Sequence, residues 1–293
     1  MKLATIRHGG ACRIALVDPL GGRFWPLDRM LEGEAADMLD LIRRFDELKP
    51  RIRVEGEGVP LRDAAPEAPL QRLARNVMCV GKNYHDHAHE FARSGFDSSA
   101  RALADAVPAA PIIFTKAPET VVPDGHDIRY PEGVSDSLDY EAELGVIIGR
   151  GGRGISRARA YDHVWGYTII NDVTARDLQS RHKQWFLGKS LDTFCPMGPW
   201  AVTADELDPA NTGVRCWVNG ELRQSANTRD LIFDIPTLIE TISAGITLMP
   251  GDVIATGTPA GVGIGFTPPR FLQRGDTVTI EIDGIGRLTN RVA

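Results

Sequence analysis

The chain has 293 residues, enough to bury a large core either as one domain or as a small domain beside a larger one. Hydrophobic residues make up 43% and charged residues 25%, the balance of an ordinary soluble globular protein rather than a disordered or fibrous one. With 33 Lys and Arg against 39 Asp and Glu, the net charge of −6 argues against nucleic acid as a partner. A local positive site for a small acid stays compatible with that total.

Four cysteines, Cys12, Cys79, Cys195 and Cys216, lie far apart without a CxxC pair. Neither a zinc ribbon nor a disulfide framework is expected, and reduced thiols of a cytoplasmic protein fit better. The first residues, Met1-Lys2-Leu3-Ala4-Thr5-Ile6-Arg7-His8, hold no apolar run long enough for a leader or a membrane span.

In chain order, Lys2–His8 and Cys12–Val17 read as strands separated by the hairpin glycines Gly9-Gly10. Ala35–Leu48 spaces Met38, Leu39, Leu41, Ile42, Phe45 and Leu48 at nearly helical intervals, and Lys49-Pro50 ends that helix. A looser stretch with Pro60, Pro66 and Pro69 reads as a linker. Residues 1–70 are therefore expected to form a small α/β N-terminal domain, and residues 71–293 a second one.

Next comes Val80-Gly81-Lys82-Asn83-Tyr84-His85-Asp86-His87-Ala88-His89-Glu90, with three histidines and two acids in its last six positions. If His85–Phe91 is helical, His87 and Glu90 meet at i, i+3, and a carboxylate beside an imidazole orients it as a general base requires. Zinc at His85 and His89 lacks the HExxH pattern and a third nitrogen or sulfur ligand. A hydrated helix start would carry the same residues. Gly95–Pro111, rich in Ala and Ser, is either a cover over a site or a surface excursion.

Leu138-Asp139-Tyr140-Glu141-Ala142-Glu143-Leu144-Gly145-Val146-Ile147-Ile148 reads as one strand. Alternation puts Glu141 and Glu143 on the same face, roughly 6–7 Å apart. Two like charges beside an apolar core repel and lose hydration, and a divalent cation would offset both costs. The strand Gly166–Asn171 runs into Asp172, a third carboxylate. All-oxygen ligation favours Mg²⁺, Mn²⁺ or Ca²⁺ over zinc. A solvated sheet face is the competing reading. Directly afterwards, Arg176 and Gln179 could share a helix face and offer a forked cation and an amide to an acidic ligand.

Gly188-Lys189-Ser190 resembles the end of a phosphate loop, but Lys183 stands where its first glycine belongs. Asn219-Gly220 joins Val214–Val218 to Glu221–Gln224 as a hairpin, and Ile232–Ser243 is helical with Pro236 in its first turn. Gly257-Thr258-Pro259-Ala260-Gly261-Val262-Gly263 lacks GxGxxG spacing yet allows a ligand close to its backbone. No GxSxG elbow is present. Strand-like runs such as Pro111–Thr115, Trp165–Asn171, Asp252–Ala255 and Thr277–Ile282 predict a mostly β core with a few helices, not alternating βα units.

These segments together resemble the fumarylacetoacetate hydrolase family over about residues 75–293. The matching pieces are Val80–Tyr84 with His87–Glu90, Asp139–Leu144, Asn171–Gln179, Gly188–Pro199 and Pro250–Pro259. The resemblance implies an α+β fold of rolled mixed β-sheets after a small N-terminal domain, usually as a homodimer. It implies a Mg²⁺ or Mn²⁺ site at Glu141, Glu143 and Asp172, a water-activating pair at His87 and Glu90, and a catalytic lysine at Lys189. Tyr84, Arg176, Gln179 and Thr258 match substrate-contacting segments. The reaction expected first is hydrolysis of a C–C bond in a small acylpyruvate or β-diketo acid, in aromatic catabolism. Decarboxylation or isomerisation of a dicarboxylic oxo-acid, of the oxaloacetate or 2-hydroxyhepta-2,4-diene-1,7-dioate type, comes next. A non-catalytic binding member is the third alternative.

Overall fold

The computed structural model describes residues 1–97 and 106–293. Of the Gly95–Pro111 segment, residues 98–105 thus lie outside the described residues. Most strands belong to one mixed sheet of twelve. Across it run Val59–Pro60, Arg23–Pro26, Ala11–Asp18, Lys2–His8, Cys195–Thr203, Val164–Asn171, Ala142–Ile148, Val253–Ala255, Val77–Gly81 and Ile112–Lys116. Ala65–Glu67 and Val121–Val122 attach beside this path. A second, four-stranded antiparallel sheet is formed by Glu221–Asn227, Gly213–Val218, Thr277–Ile282 and Gly286–Arg291.

Ala142–Ile148 and Val164–Asn171 are buried at every position. Both faces of the sheet are covered there, which is why these runs are almost continuously apolar. Leu144, Val146, Ile148, Tyr167 and Ile169 pack in one cluster with Leu238, Ile239 and Ile242 of the helix Ile235–Ser243. Ile147, Trp165 and Ile170 pack in another with Leu27, Leu41, Phe45 and Leu48 from the N-terminal part. Asp234 caps the helix by accepting from the Thr237 amide at 2.9 Å, with Pro236 in its first turn.

Three expectations are corrected. The helix over Ala35–Leu48 is two short helices, Met38–Arg43 and Phe45–Leu48. Arg44 leaves helical geometry between them (φ −115°, ψ 18°), yet the apolar face stays continuous because Met38, Leu41, Ile42, Phe45 and Leu48 are all buried. The proline-rich linker contains the strand Ala65–Glu67, which pairs with Lys2–His8. The acidic strand is broken at Tyr140–Glu141. Leu138–Asp139 pairs with Thr174–Ala175, and Ala142–Ile148 pairs with Val164–Asn171. At the break, side chains replace ladder partners: the Glu141 amide donates to Asn171 Oδ1 (3.1 Å) and the Ala142 amide to Gln224 Oε1 (3.0 Å).

The first seventy residues share a sheet with the rest, through Lys2 opposite Val202 and Leu3 opposite Ala201. No helix among the described residues is long and apolar enough to cross a membrane.

Candidate active site

The carboxylates of Glu141, Glu143 and Asp172 converge despite the broken strand, with one oxygen of each lying within 4.8 Å of the others. All three are buried. Asp172 follows the last residue of Val164–Asn171, and its amide donates to the Glu141 carbonyl at 2.9 Å, locking the two strand ends together.

Three buried cations surround them. Lys189 Nζ lies 2.8 Å from both Glu141 Oε2 and Asp172 Oδ2. Lys116 Nζ lies 2.6 Å from Asp172 Oδ1 and donates to the Val173 carbonyl at 2.9 Å. Arg176 reaches Glu141 Oε1 through Nη1 at 2.7 Å and Asp139 Oδ2 through Nε at 2.9 Å. Burial opposes ionisation of Glu141, but the charges of Lys189 and then Arg176 outweigh it and hold the carboxyl at about 2. Burial likewise opposes the charge on Lys189, and Asp172 and Glu141 overcome it, keeping the ammonium protonated.

Glu143 differs. Its Oε2 accepts from the Gly257 amide at 2.8 Å. Burial, then the charges of Asp172 and Glu141, push its carboxyl well above the usual range. Four acids, Asp139, Glu141, Glu143 and Asp172, thus face three cations, Lys116, Arg176 and Lys189. A divalent cation would favour ionised Glu143 and more than offset the one excess negative charge, and an all-oxygen donor set suits a hard ion. The residues present fit such an ion.

His87, Glu141, Glu143, Arg176, Gln179, Lys189 and Thr258 line one pocket. His87 and Glu90 stand on the helix His85–Arg93, where the i, i+3 spacing brings Nδ1 to 3.2 Å from Glu90 Oε2. The Gly261 amide donates to both oxygens of Glu90, at 2.9 and 3.2 Å. His85 and His89 are exposed, so His87 alone of the three histidines is turned inward. Tyr84 is buried one residue before the helix and does not line the pocket, although Glu143 is among the charges that, after burial, raise its phenol. Thr258 Oγ1 accepts from Gln224 Nε2 at 2.7 Å.

Opposite the charges stands an aromatic wall. Trp185 meets Phe114 and Phe91 edge-on, at centroid separations of 5.1 and 5.9 Å. Lys189 Nζ lies 4.9 Å from the Phe114 centroid, a cation–π contact that supports its charge. Trp185 covers Gly81, where an added Cβ would lie 2.4 Å from the indole. The remaining space barely holds one water.

Lys116, Asp139 and Trp185 were not assigned from the sequence. Asp139 had a signal, because Asp139, Glu141 and Glu143 alternate on one face. Lys116 had only its place at the end of an apolar strand, and Trp185 had none.

A family model described as fumarylacetoacetate (FAA) hydrolase C-terminal matches residues 76–293. The chain belongs to the fumarylacetoacetate hydrolase family. Oxaloacetate tautomerase YisK of Bacillus subtilis (strain 168) is 52% identical over 245 residues, which cover 83% of this chain and 78% of that protein. A solved fumarylacetoacetate hydrolase from Exiguobacterium antarcticum is 41% identical and superposes with a TM-score of 0.82, covering 100% of this chain and 99% of that one. A maleylpyruvate hydrolase from Sphingobium sp. SYK-6, solved with manganese(II) and pyruvate, is 32% identical with a TM-score of 0.79, covering 100% and 99%. Family membership and the mixed-sheet fold agree with the motifs in the sequence.

Proposed function

We propose that this family member is a divalent-metal-dependent enzyme that moves a proton on a small dicarboxylic 2-oxo acid, interconverting the keto and enol forms of an oxaloacetate-like substrate. The observation that supports this most directly is Arg176 Nη2. It is buried without a hydrogen-bond partner among the described residues, on a guanidinium that lines the pocket and is otherwise fixed by Asp139, Glu141 and Gln179. An unpaired buried donor costs free energy that a substrate carboxylate would recover.

Glu141, Glu143 and Asp172 would hold Mg²⁺ or Mn²⁺, which when bound supplies Lewis-acid polarisation of the 2-oxo group. The protein's part is proton transfer. With Nδ1 hydrogen-bonded to Glu90, His87 presents the Nε2 lone pair as a base. It takes a proton from the carbon beside the carbonyl while the C=C bond forms, and the imidazolium so formed gives that proton back to the enolate oxygen, directly or through water, so no proton is gained or lost overall. Lys189 stabilises the charge that develops on that oxygen. The relative named an oxaloacetate tautomerase supports this order of readings at 52% identity.

C–C hydrolysis of an acylpyruvate is the second reading, supported by the maleylpyruvate hydrolase that superposes over the whole chain. There His87 would draw its proton from water instead. Both are tested by supplying Mg²⁺ with oxaloacetate or with an acylpyruvate, and following enol content and ¹⁸O uptake from labelled water. Tautomerisation leaves no solvent oxygen in a new carboxylate, and hydrolysis leaves one. His87→Ala should lower kcat by roughly 10²–10⁴-fold while the metal still raises the melting temperature. Full activity in that variant would remove His87 from the mechanism.

A further inference from the structure

One glycine-rich loop holds three of the site's carboxylates through its backbone. The Gly257 amide donates to Glu143 (2.8 Å), the Gly261 amide to Glu90 (2.9 and 3.2 Å), and the Gly263 and Ile264 amides to Asp139 (2.6 and 3.1 Å). The turn Gly263–Gly265 closes the loop against the helix that carries His87 and Glu90. At its end, Gly265 leaves the space in which the Glu90 carboxylate lies. A Cβ there would stand 1.8 Å from Glu90 Oε1, 2.3 Å from its carboxyl carbon and 2.7 Å from Cγ.

Oε1, the carboxyl carbon and Cγ all fall inside that envelope, so relief requires moving the end of the side chain rather than rotating one oxygen. Glu90 is a flexible side chain, and displacing it costs the fold little. Displacing it would break the hydrogen bonds it makes with His87 and the Gly261 amide. Unlike Gly261, which has φ +102° and would strike the Arg223 carbonyl at 1.9 Å, Gly265 has a backbone conformation open to alanine. A methyl group at this position therefore probes space alone.

We propose that Gly265 is a positioning residue for the base: its missing side chain seats Glu90 so that Glu90 orients His87. This rests on the reading that His87 is the proton carrier. In the metal-loaded enzyme, Gly265→Ala should lower kcat at least about tenfold, toward the level of Glu90→Ala, with KM and the Mg²⁺-induced rise in melting temperature retained. In a Glu90→Ala background the added methyl occupies vacated space and should change kcat by less than about twofold, so the pair is strongly non-additive. Independently of activity, the ¹⁵N resonance of His87 Nδ1, assigned with His87→Ala, should move in Gly265→Ala to its Glu90→Ala position.

Equal loss from Gly265→Ala with and without Glu90 would overturn the proposal, as would loss of the Mg²⁺ response, which would make Gly265 a structural residue of the loop. An unmoved Nδ1 resonance would also overturn it. If Glu90→Ala itself keeps full activity while the Nδ1 resonance moves in both variants, the seating stands but catalysis does not depend on it, and the positioning role is overturned; full activity of His87→Ala is the separate result that would sink the proton-carrier reading.

Discussion

Replacing Glu143 by glutamine separates the apo protein's stability from its metal binding, and the two should move in opposite directions. Glutamine keeps the size and the acceptor for the Gly257 amide but removes the charge least compensated in the cluster. Burial and the neighbouring Asp172 and Glu141 raise the Glu143 carboxyl well above the ordinary 4.5. The folded apo protein therefore holds a proton that the unfolded chain releases. The stability associated with that proton is complete below pH 4.5 and is lost as pH rises toward the raised folded value. The loss runs at about 1.4 kcal/mol per pH unit, so at about pH 7.5, some three units higher, it has a ceiling of about 4 kcal/mol. The glutamine variant does not incur it and should melt above the parent near pH 7.5, by no more than that ceiling allows. Melting in EDTA at about pH 5 and pH 7.5, then with Mg²⁺, measures both effects. The apo gain should shrink toward the acidic end, and the Mg²⁺-induced rise expected in the parent should be absent from the variant at both. A variant that melts below the parent in EDTA near pH 7.5, or that still responds to Mg²⁺, would refute the placement of Glu143.

Two further outcomes follow from the pocket. Arg176→Lys replaces a planar fork by a point charge and cannot serve Asp139, Glu141 and a substrate carboxylate together, so KM for a dicarboxylic oxo-acid should rise at least about tenfold; unchanged KM would take Arg176 out of substrate binding. Trp185→Ala removes the wall over Gly81 and should raise kcat/KM for longer acylpyruvates relative to oxaloacetate, at a stability cost of about 3–5 kcal/mol. An unaltered substrate ratio would show that the indole does not limit length.

Part of the grouping of side chains in the pocket is legible in local patterns. Glu141 and Glu143 are two apart, and His87 and Glu90 three apart on a helix, so spacing marks each pair, although Glu141 itself sits at a break in its strand. Lys116 could not be found that way. It meets Asp172 only because Ile112–Lys116 pairs with Val77–Gly81, a partnership set by tertiary packing. Trp185 is likewise defined by what it covers. The break at Tyr140–Glu141 has no local signature, because Asn171 and Gln224, remote in sequence, supply the hydrogen bonds that replace the ladder there. The helix split at Arg44 was hidden by an apolar face that continues across it.

The pairing of Lys2–His8 with Cys195–Thr203 bears on how this family can vary by recombination. Cys195–Thr203 lies between that N-terminal strand and Val164–Asn171, the strand that delivers Asp172. A foreign N-terminal segment would have to reproduce the register of Lys2 opposite Val202, or leave an interior strand with an open edge directly beside the strand that delivers Asp172. Shuffling at the family-model boundary near residue 76 would thus cut through a continuous hydrogen-bonded sheet, and viable chimeras would need both sides inherited together.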